Sequence, residues 1–277
     1  MNILNYINLN GKIMLREDAG IPTDNGAFRY GYGLFETMLV QNGKIILMEY
    51  HWERLFDGAK KLHFELPALM TSGWLENETL RTVQKNQTET LCRVRLQLFA
   101  GGGGLYSTES KHPGFIIECF PLEPDMLKLN ENGLVAGIAS GINKSMDSLS
   151  NLKSCNALIY AIAAQQAKQN KWNDALICNT NGNIIESTIA NIFWIKAGVI
   201  YTPPLTEGCV AGVMRRHIMG KLAVTEKSLS LEELLSADEV FLTNAIRKIR
   251  WVRSINNAQY RKEQIVVIYN TCFPSTF

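Results

Sequence analysis

The chain reads Asn151-Leu152-Lys153-Ser154-Cys155-Asn156-Ala157-Leu158 at the start of a stretch whose composition and spacing predict a helix over residues 153–169. Apolar residues surround Lys153 in the sequence, namely Leu149, Leu152, Cys155, Ala157 and Leu158. Burial lowers the pKa of a lysine, and the neutral amine can form a Schiff base with an aldehyde cofactor. A lysine at a helix start is more commonly a solvated surface residue, and this stretch alone favours that simpler interpretation.

A second informative stretch is Asn183-Ile184-Ile185-Glu186-Ser187-Thr188-Ile189-Ala190-Asn191-Ile192-Phe193-Trp194. A glutamate that follows a turn such as Asn179–Gly182 is normally exposed. The apolar residues on both sides of Glu186 indicate instead that its side chain points inward. A buried carboxylate needs a charged or hydrogen-bond-donating partner, and the N–H of a pyridinium ring can be one.

Together, and in this order, the patterns Lys-x-x-Asn-x-Leu and Glu-x-x-x-Ala-Asn-Ile-Phe-Trp resemble the class IV aminotransferase family of pyridoxal-phosphate enzymes. The resemblance extends from Gly26 to Val252. It implies an α+β fold of two domains, similar to D-amino-acid aminotransferase, with pyridoxal 5'-phosphate in the interdomain cleft. It also implies that Lys153 is the catalytic Schiff-base lysine and that Glu186 is the partner of the pyridine nitrogen.

The same resemblance assigns residues to the cofactor phosphate. Arg54, in His51-Trp52-Glu53-Arg54-Leu55, is similar to the family's phosphate-binding arginine, and a guanidinium suits a bidentate phosphate contact. The alternative is a surface arginine paired with Glu53 or Asp57.

Two backbone segments are also assigned to the cofactor by resemblance. Gly212 opens a helix predicted over residues 211–223, and helix N-termini present free N–H groups. The family implies that the amides of Val213 and Met214 bind phosphate there, although it more often has threonine at the position of Met214. Asn244 and Ala245, which follow the predicted strand Asp238–Thr243, are assigned to the cofactor as well.

Three residues are candidates for binding substrate. Arg95 and its neighbour Arg93 are two apart on a predicted strand, so both face the same side. Arg95 is the better candidate for a substrate carboxylate, and Arg29 is another, while a surface ion pair is the alternative for each. Asn244 can both donate and accept hydrogen bonds, so it could orient a substrate carboxylate or hydroxyl.

The choice of activity within the family depends on two further features. Thr243-Asn244-Ala245 and the Ala190–Trp194 segment look more like 4-amino-4-deoxychorismate lyase, which releases pyruvate and 4-aminobenzoate in folate biosynthesis. Against this, the glycine loop has Gly104 or Leu105 where some lyases carry an arginine. A branched-chain or D-amino-acid aminotransferase remains the alternative, as does a pyridoxal-phosphate-binding protein without turnover.

Composition excludes several other classes. The net charge of +2 is too balanced to indicate a nucleic-acid or lipid surface, and no apolar run approaches membrane-spanning length. The six cysteines form no Cys-x-x-Cys pair and the four histidines are dispersed, so we expect no metal site and a reducing, cytoplasmic location. We expect a small-molecule amine substrate and, from the family, a homodimer.

Periodicity and turn signals predict the organisation of the chain. Residues 1–120 are expected to form a smaller N-terminal domain, 121–130 a linker with two prolines, and 131–277 a larger cofactor-binding domain. Strands are predicted at 3–9, 33–40, 45–47, 90–99, 113–121, 174–178, 183–195 as a hairpin, and 238–243. Besides those at 153–169 and 211–223, helices are predicted at 49–64 and 260–269. The start of the chain is interpreted as a strand and not a signal peptide.

Overall fold

A computed structural model describes residues 5–103, 106 and 112–274 of the chain. These residues divide into two compact units. The first unit contains the described residues up to Met126 together with Leu152–Asn156, and the second contains Leu127–Asn151 and the described residues from Ala157 onward. The division at Met126 falls inside the predicted linker at 121–130. Leu152–Asn156, which lies within the predicted domain 131–277, groups with the first unit.

The first unit is built on an antiparallel sheet with strand order β2-β1-β6-β5-β3-β4. Its strands are β1 (Tyr6–Leu9), β2 (Lys12–Leu15), β3 (Gly33–Gln41), β4 (Lys44–Ile45), β5 (Leu91–Phe99) and β6 (Gly114–Pro121). Its helices are α1 (Gly26–Tyr30), α2 (Met48–Lys61) and α3 (Ser72–Lys85).

Alternation along β5 determines the two faces of this sheet. Every second residue of the strand is fully buried in the core, namely Cys92, Val94, Leu96 and Leu98. Leu55 of α2 and Leu75 of α3 belong to the same core, so the two helices cover this face. The intervening residues Arg93, Arg95 and Gln97 are half-buried on the opposite face.

The second unit contains a mixed sheet that closes on itself, because β9 pairs with both β8 and β10. Its strands are β7 (Leu134–Lys144), β8 (Asp174–Asn179), β9 (Ile184–Ser187), β10 (Asn191–Lys196), β11 (Val199–Thr202), β12 (Val224–Glu226), β13 (Glu239–Asn244), β14 (Lys248–Ile255) and β15 (Ala258–Gln259). Its helices are α4 (Leu158–Gln169), α5 (Val213–Met219), α6 (Leu231–Leu235) and α7 (Glu263–Cys272). Trp194, Leu242 and Val252 lie in its core.

The predicted strands and the helix at 49–64 are confirmed with end shifts of a few residues, although Ile3 and Leu4 of the first strand lie outside the described residues. The helix predicted over 153–169 begins only at Leu158, and the one predicted over 211–223 ends at Met219. The last helix is displaced to Glu263–Cys272. Helix α3 and strands β7 and β14 were not predicted.

Gly137 provides a test of packing in the second unit. A Cβ atom at Gly137 would lie 2.2 to 2.3 Å from ring atoms of Trp172, so alanine cannot fit without moving the indole. We expect Gly137→Ala to lower the free energy of unfolding in urea by about 1–3 kcal/mol. Gly220→Ala is the control, because a Cβ atom there would lie 3.5 Å from the Arg216 carbonyl oxygen and 3.6 Å from that of His217, at ordinary van der Waals distance. Equal stability of the two variants would contradict this packing.

Candidate active site

Lys153 lies on an extended segment of the first unit that runs beside β3. The Phe35 amide donates to the Lys153 carbonyl at 2.9 Å, and the Cys155 amide donates to the Gly33 carbonyl at 2.8 Å. A Cβ at Gly33 would lie 2.5 Å from the Leu98 carbonyl oxygen and 3.1 Å from Cys155 Sγ. Glycine therefore permits this close approach, and the bonding to β3 explains why the helix does not begin at Lys153.

The surroundings of the Lys153 side chain differ from the expected ones. Leu152 is buried in the core, but Leu149 and Leu158 are exposed and do not shield the lysine. The half-buried lysine instead places its Nζ atom 4.3 Å from the centroid of the Phe35 ring. An aromatic face attracts a cation and limits the water around it, so the apolar neighbour of Lys153 is Phe35.

Arg95 contacts the same ring as Lys153. Its guanidinium carbon lies 3.8 Å from the Phe35 centroid, and Nη2 donates to Gln97 Oε1 at 2.8 Å. Arg95 is therefore packed against a neighbour of the predicted catalytic lysine. Arg29 differs, because it is exposed on α1 and its Nε donates to the Thr23 carbonyl at 3.2 Å.

Arg54 is held by a buried carboxylate that sequence analysis did not select. Its Nε donates to Glu36 Oε1 at 2.8 Å and its Nη2 to Glu36 Oε2 at 2.5 Å. His51 Nδ1 lies 2.6 Å from the same Oε2 atom. Burial alone would raise the pKa of Glu36, but the charges and hydrogen bonds of Arg54 and His51 hold it at about 2. The ionised Glu36 thus fixes the Arg54 guanidinium in one orientation.

Glu186 lies on β9 in the second unit and is buried, as expected. Its carboxylate already has protein partners: Lys144 Nζ at 2.6 Å and the Tyr160 hydroxyl at 2.8 Å, both on Oε1. The Val210 amide donates to Oε2 at 2.9 Å. Burial alone therefore does not require a pyridinium partner, because Lys144 supplies the positive charge, and the pairing of Glu186 with the pyridine nitrogen stays a prediction.

The start of α5 follows the predicted geometry. Gly212 is its N-cap residue without a side-chain cap, and Val213 and Met214 are its first two residues. A Cβ at Gly212 would lie 1.8 Å from Asn191 Oδ1, and Asn191 Nδ2 donates to the Val210 carbonyl at 2.9 Å. The asparagine of the Ala-Asn-Ile-Phe-Trp pattern thus holds the loop before α5, and only glycine fits beside it.

Asn244 closes a turn between β13 and β14. Its Oδ1 atom accepts from the Ile246 amide at 3.0 Å and from the Arg247 amide at 2.8 Å, while Nδ2 donates to the Ile189 carbonyl at 3.3 Å. Both lone pairs of the oxygen are used. The side chain therefore shapes the turn that carries Ala245 and has no acceptor left for a substrate.

Comparison with known proteins identifies the family. The family model for amino-transferase class IV matches residues 33–255. The chain belongs to the class IV aminotransferase family. It is an enzyme family that uses pyridoxal phosphate, and its fold is the one found here.

Named relatives of the class IV family differ in activity. The chain is 31% identical to a putative branched-chain-amino-acid aminotransferase of Methanocaldococcus jannaschii, over 91% of this chain and 90% of that protein. It is 30% identical to an aminodeoxychorismate lyase of Bacillus subtilis, over 92% and 88%. Among solved structures, the branched-chain amino acid aminotransferase of Escherichia coli matches with a TM-score of 0.86 and 26% identity, over 96% and 92%.

The residues present fit the cofactor of this family. Oε2 of the buried Glu186 accepts from one backbone amide, and a carboxylate oxygen can accept a second hydrogen bond from a ring N–H. The Arg54 side chain is 14% exposed, so its guanidinium can contact a phosphate while it is held by Glu36. In the described part of the chain, no group of three or more metal-binding side chains occurs and no helix is long and apolar enough to cross a membrane.

Sequence analysis missed two residues in each unit: Glu36 and His51 in the first, and Lys144 and Tyr160 in the second. The His-x-x-Arg spacing of His51 and Arg54 places both on one face of α2, which was a usable signal. Glu36 alternates with half-buried residues of β3, so it points toward the helix-covered face. Lys144 and Tyr160 gave no such signal, because their partner Glu186 is distant in sequence.

The ionised state of Glu36 predicts a pH dependence. Its pKa in the folded protein, about 2, lies below the ordinary value of 4.5, so its ionised form stabilises the fold. That contribution is complete at neutral pH and is lost as the pH falls from about 4.5 toward about 2. We expect Glu36→Gln to cost about 3 kcal/mol of unfolding free energy at neutral pH, and less across that interval, in urea titrations.

Glu49→Gln is the matched control for this measurement. Glu49 is exposed on α2, the helix that also carries Arg54, and its substitution should change stability by less than about 0.5 kcal/mol. A stability difference between wild type and Glu36→Gln that stays constant down to the lowest pH would contradict the ionised, paired carboxylate.

Proposed function

We propose that this chain is a 4-amino-4-deoxychorismate lyase, with Lys153 as its Schiff-base lysine and catalytic acid and base. Bound pyridoxal phosphate would supply an electron sink for the carbon–hydrogen bond that breaks. Lys153 Nζ would take the proton from the amine-bearing ring carbon. The bond from the ring to the enolpyruvyl oxygen then breaks, the ring becomes aromatic, and protonation of the released enol gives pyruvate beside 4-aminobenzoate.

The turn after β13 is the observation that supports a lyase. Family aminotransferases usually carry a threonine-rich or Gly-Thr turn there, whereas this chain has an asparagine side chain that accepts from two amides of the turn. Asn244 would act through this shape, which presents the Ala245 backbone to the cofactor. Lyases are also among the named relatives, as reported above for B. subtilis.

The other predicted residues take cofactor and substrate roles in the proposal. Glu186 would accept from the pyridine nitrogen, and Arg54 with the amides of Val213 and Met214 would bind the phosphate. Arg95 would bind a substrate carboxylate, because its guanidinium lies on the same ring as the Lys153 amine. Arg29, which is exposed on α1, is a weaker substitute for that role. The protein would work as a cytoplasmic homodimer.

Amino transfer is the second candidate function, and the position of Arg95 is what favours it. A transaminase must bind the carboxylate of an amino acid and then that of a keto acid, which requires an arginine near the reactive amine. The alternative considered for Arg95 was a surface ion pair, whereas its guanidinium packs against the Phe35 ring, which supports a role near the reactive amine.

The covalent attachment is tested by borohydride reduction of the holoprotein followed by peptide mapping. We expect the pyridoxyl group on Lys153 and none in Lys153→Ala. Lys144 and Lys248 are the buried lysines that could compete for the label. Recovery of the label on either of them in the wild-type protein would refute the assignment of Lys153.

The choice between lyase and transferase is tested by product analysis. Pure holoprotein is given aminodeoxychorismate in one reaction, and a panel of L- and D-amino acids with 2-oxoglutarate in another. We expect equal release of pyruvate and 4-aminobenzoate at a rate well above any amino transfer. Rapid transfer from leucine, valine or D-alanine, without 4-aminobenzoate formation, would replace the lyase with the aminotransferase.

A further inference from the structure

We propose that Lys144 is a positioning residue for cofactor recognition: its ion pair with Glu186 Oε1 holds the carboxylate oriented so that Oε2 accepts from the pyridine N–H. This inference rests on the proposed function, since it concerns how Glu186 meets the cofactor. The role of Lys144 differs from that of Lys153, because Lys144 itself would not touch the cofactor ring.

The geometry of the pair is that of a buried ion pair. Lys144 Nζ lies 2.6 Å from Glu186 Oε1, and the two side chains are 9% and 4% exposed. Lys144 ends β7 and Glu186 lies in β9, so the pair joins two strands that flank β8. A lysine so enclosed, with a carboxylate at contact distance, is a structural cation and not a solvated surface group.

The hydrogen-bond donors around Glu186 are divided unevenly between its two carboxylate oxygens. Oε1 receives both Lys144 and the Tyr160 hydroxyl, whereas Oε2 receives the Val210 amide at 2.9 Å. Each carboxylate oxygen can accept two hydrogen bonds, so Oε1 is filled and Oε2 has room for one more. The three donors come from β7, α4 and the loop before α5, which fixes the plane of the carboxylate.

Charge explains why a lysine is needed in addition to the tyrosine. A buried carboxylate needs a positive charge nearby to offset its own, and a neutral hydroxyl does not supply one. Burial, with the charge of Glu186 adding to it, raises the pKa of Tyr160, so the phenol remains a neutral donor. Lys144 is thus the group that supplies a positive charge beside Glu186.

The experiment compares two cofactors in titrations of the apoprotein. One is pyridoxal phosphate, and the other is its deaza analogue, which has a C–H group in place of the ring nitrogen. We expect the wild-type protein to prefer pyridoxal phosphate about ten- to hundredfold, since only that ring can donate to ionised Glu186. Lys144→Gln, which keeps a donor but loses the charge, should lower this preference by about tenfold. Lys144→Arg should retain it.

Two controls separate the possible explanations. In a Glu186→Gln background, Lys144→Gln should leave the preference unchanged, because the path through the carboxylate is already removed. Tyr160→Phe keeps the cation and should retain most of the preference. Loss of the preference in Tyr160→Phe would assign the role to the tyrosine and overturn the proposal, even if the Lys144 variants did not fold.

The outcomes distinguish this inference from the proposed function. Equal weakening of both cofactors in Lys144→Gln would show a merely structural lysine and overturn the inference, as would a wild-type protein that binds the two equally. Absence of any borohydride-fixed label on Lys153 would instead refute the proposed function. A preference that depends on Lys144 together with a label on Lys153 supports both.

Discussion

Buried carboxylates must be paired, and this constraint organises the functional region of each unit. Taking a charge out of water costs several kcal/mol unless a partner of opposite charge and further donors replace the solvent. In the first unit, Glu36 of β3 is paired by Arg54 and His51 of α2. In the second, Glu186 of β9 is paired by Lys144 of β7. Each pair joins two separate secondary-structure elements, so the same contacts hold the carboxylate in place and offset its charge.

The two carboxylates differ in what they leave available. Glu36 is directed at an arginine whose side chain is still partly exposed, so the carboxylate acts through the guanidinium that it orients. Glu186 keeps room on one of its own oxygens, so it can accept from a ligand directly. The same physical requirement, compensation of a buried charge, thus leaves a partly exposed arginine in one unit and an available carboxylate oxygen in the other.

Local patterns predicted much of the fold, and contacts between distant segments account for what was missed. Alternation in β3 and β5 and the apolar face of α2 are local signals, and those elements formed as expected. Lys153 lies in a stretch with helical spacing, yet its backbone bonds to β3, and such pairing overrides local propensity. Lys144 was missed for a related reason, since nothing near it in sequence indicates a carboxylate 42 residues away.

Family resemblance and physical argument supported the site residues to different degrees. Arg54 and Lys153, which the resemblance selected, both contact other side chains of the first unit, but the apolar neighbours expected around Lys153 were partly wrong. Leu149 and Leu158 are exposed, and Phe35 provides the apolar contact to Lys153 instead. Aromatic residues on a neighbouring strand cannot be assigned to a lysine from spacing alone, because the pairing of distant segments decides which side chains meet.

In the proposed function, substrate choice depends on Asn244 and Arg95, and for both residues the structure adds contacts that the sequence did not predict. Asn244 was selected for the hydrogen-bonding capacity of its side chain, but two amides of its own turn occupy the oxygen. Arg95 was the better candidate for a substrate carboxylate, with a surface ion pair as the alternative, and its guanidinium shares the Phe35 ring with Lys153. A carboxylate bound at Arg95 is compatible with either elimination or transfer, because both substrates carry one. Within the proposed function, the feature that favours one activity is therefore the turn at Asn244, whose shape is held by two amides that donate to the Asn244 side chain.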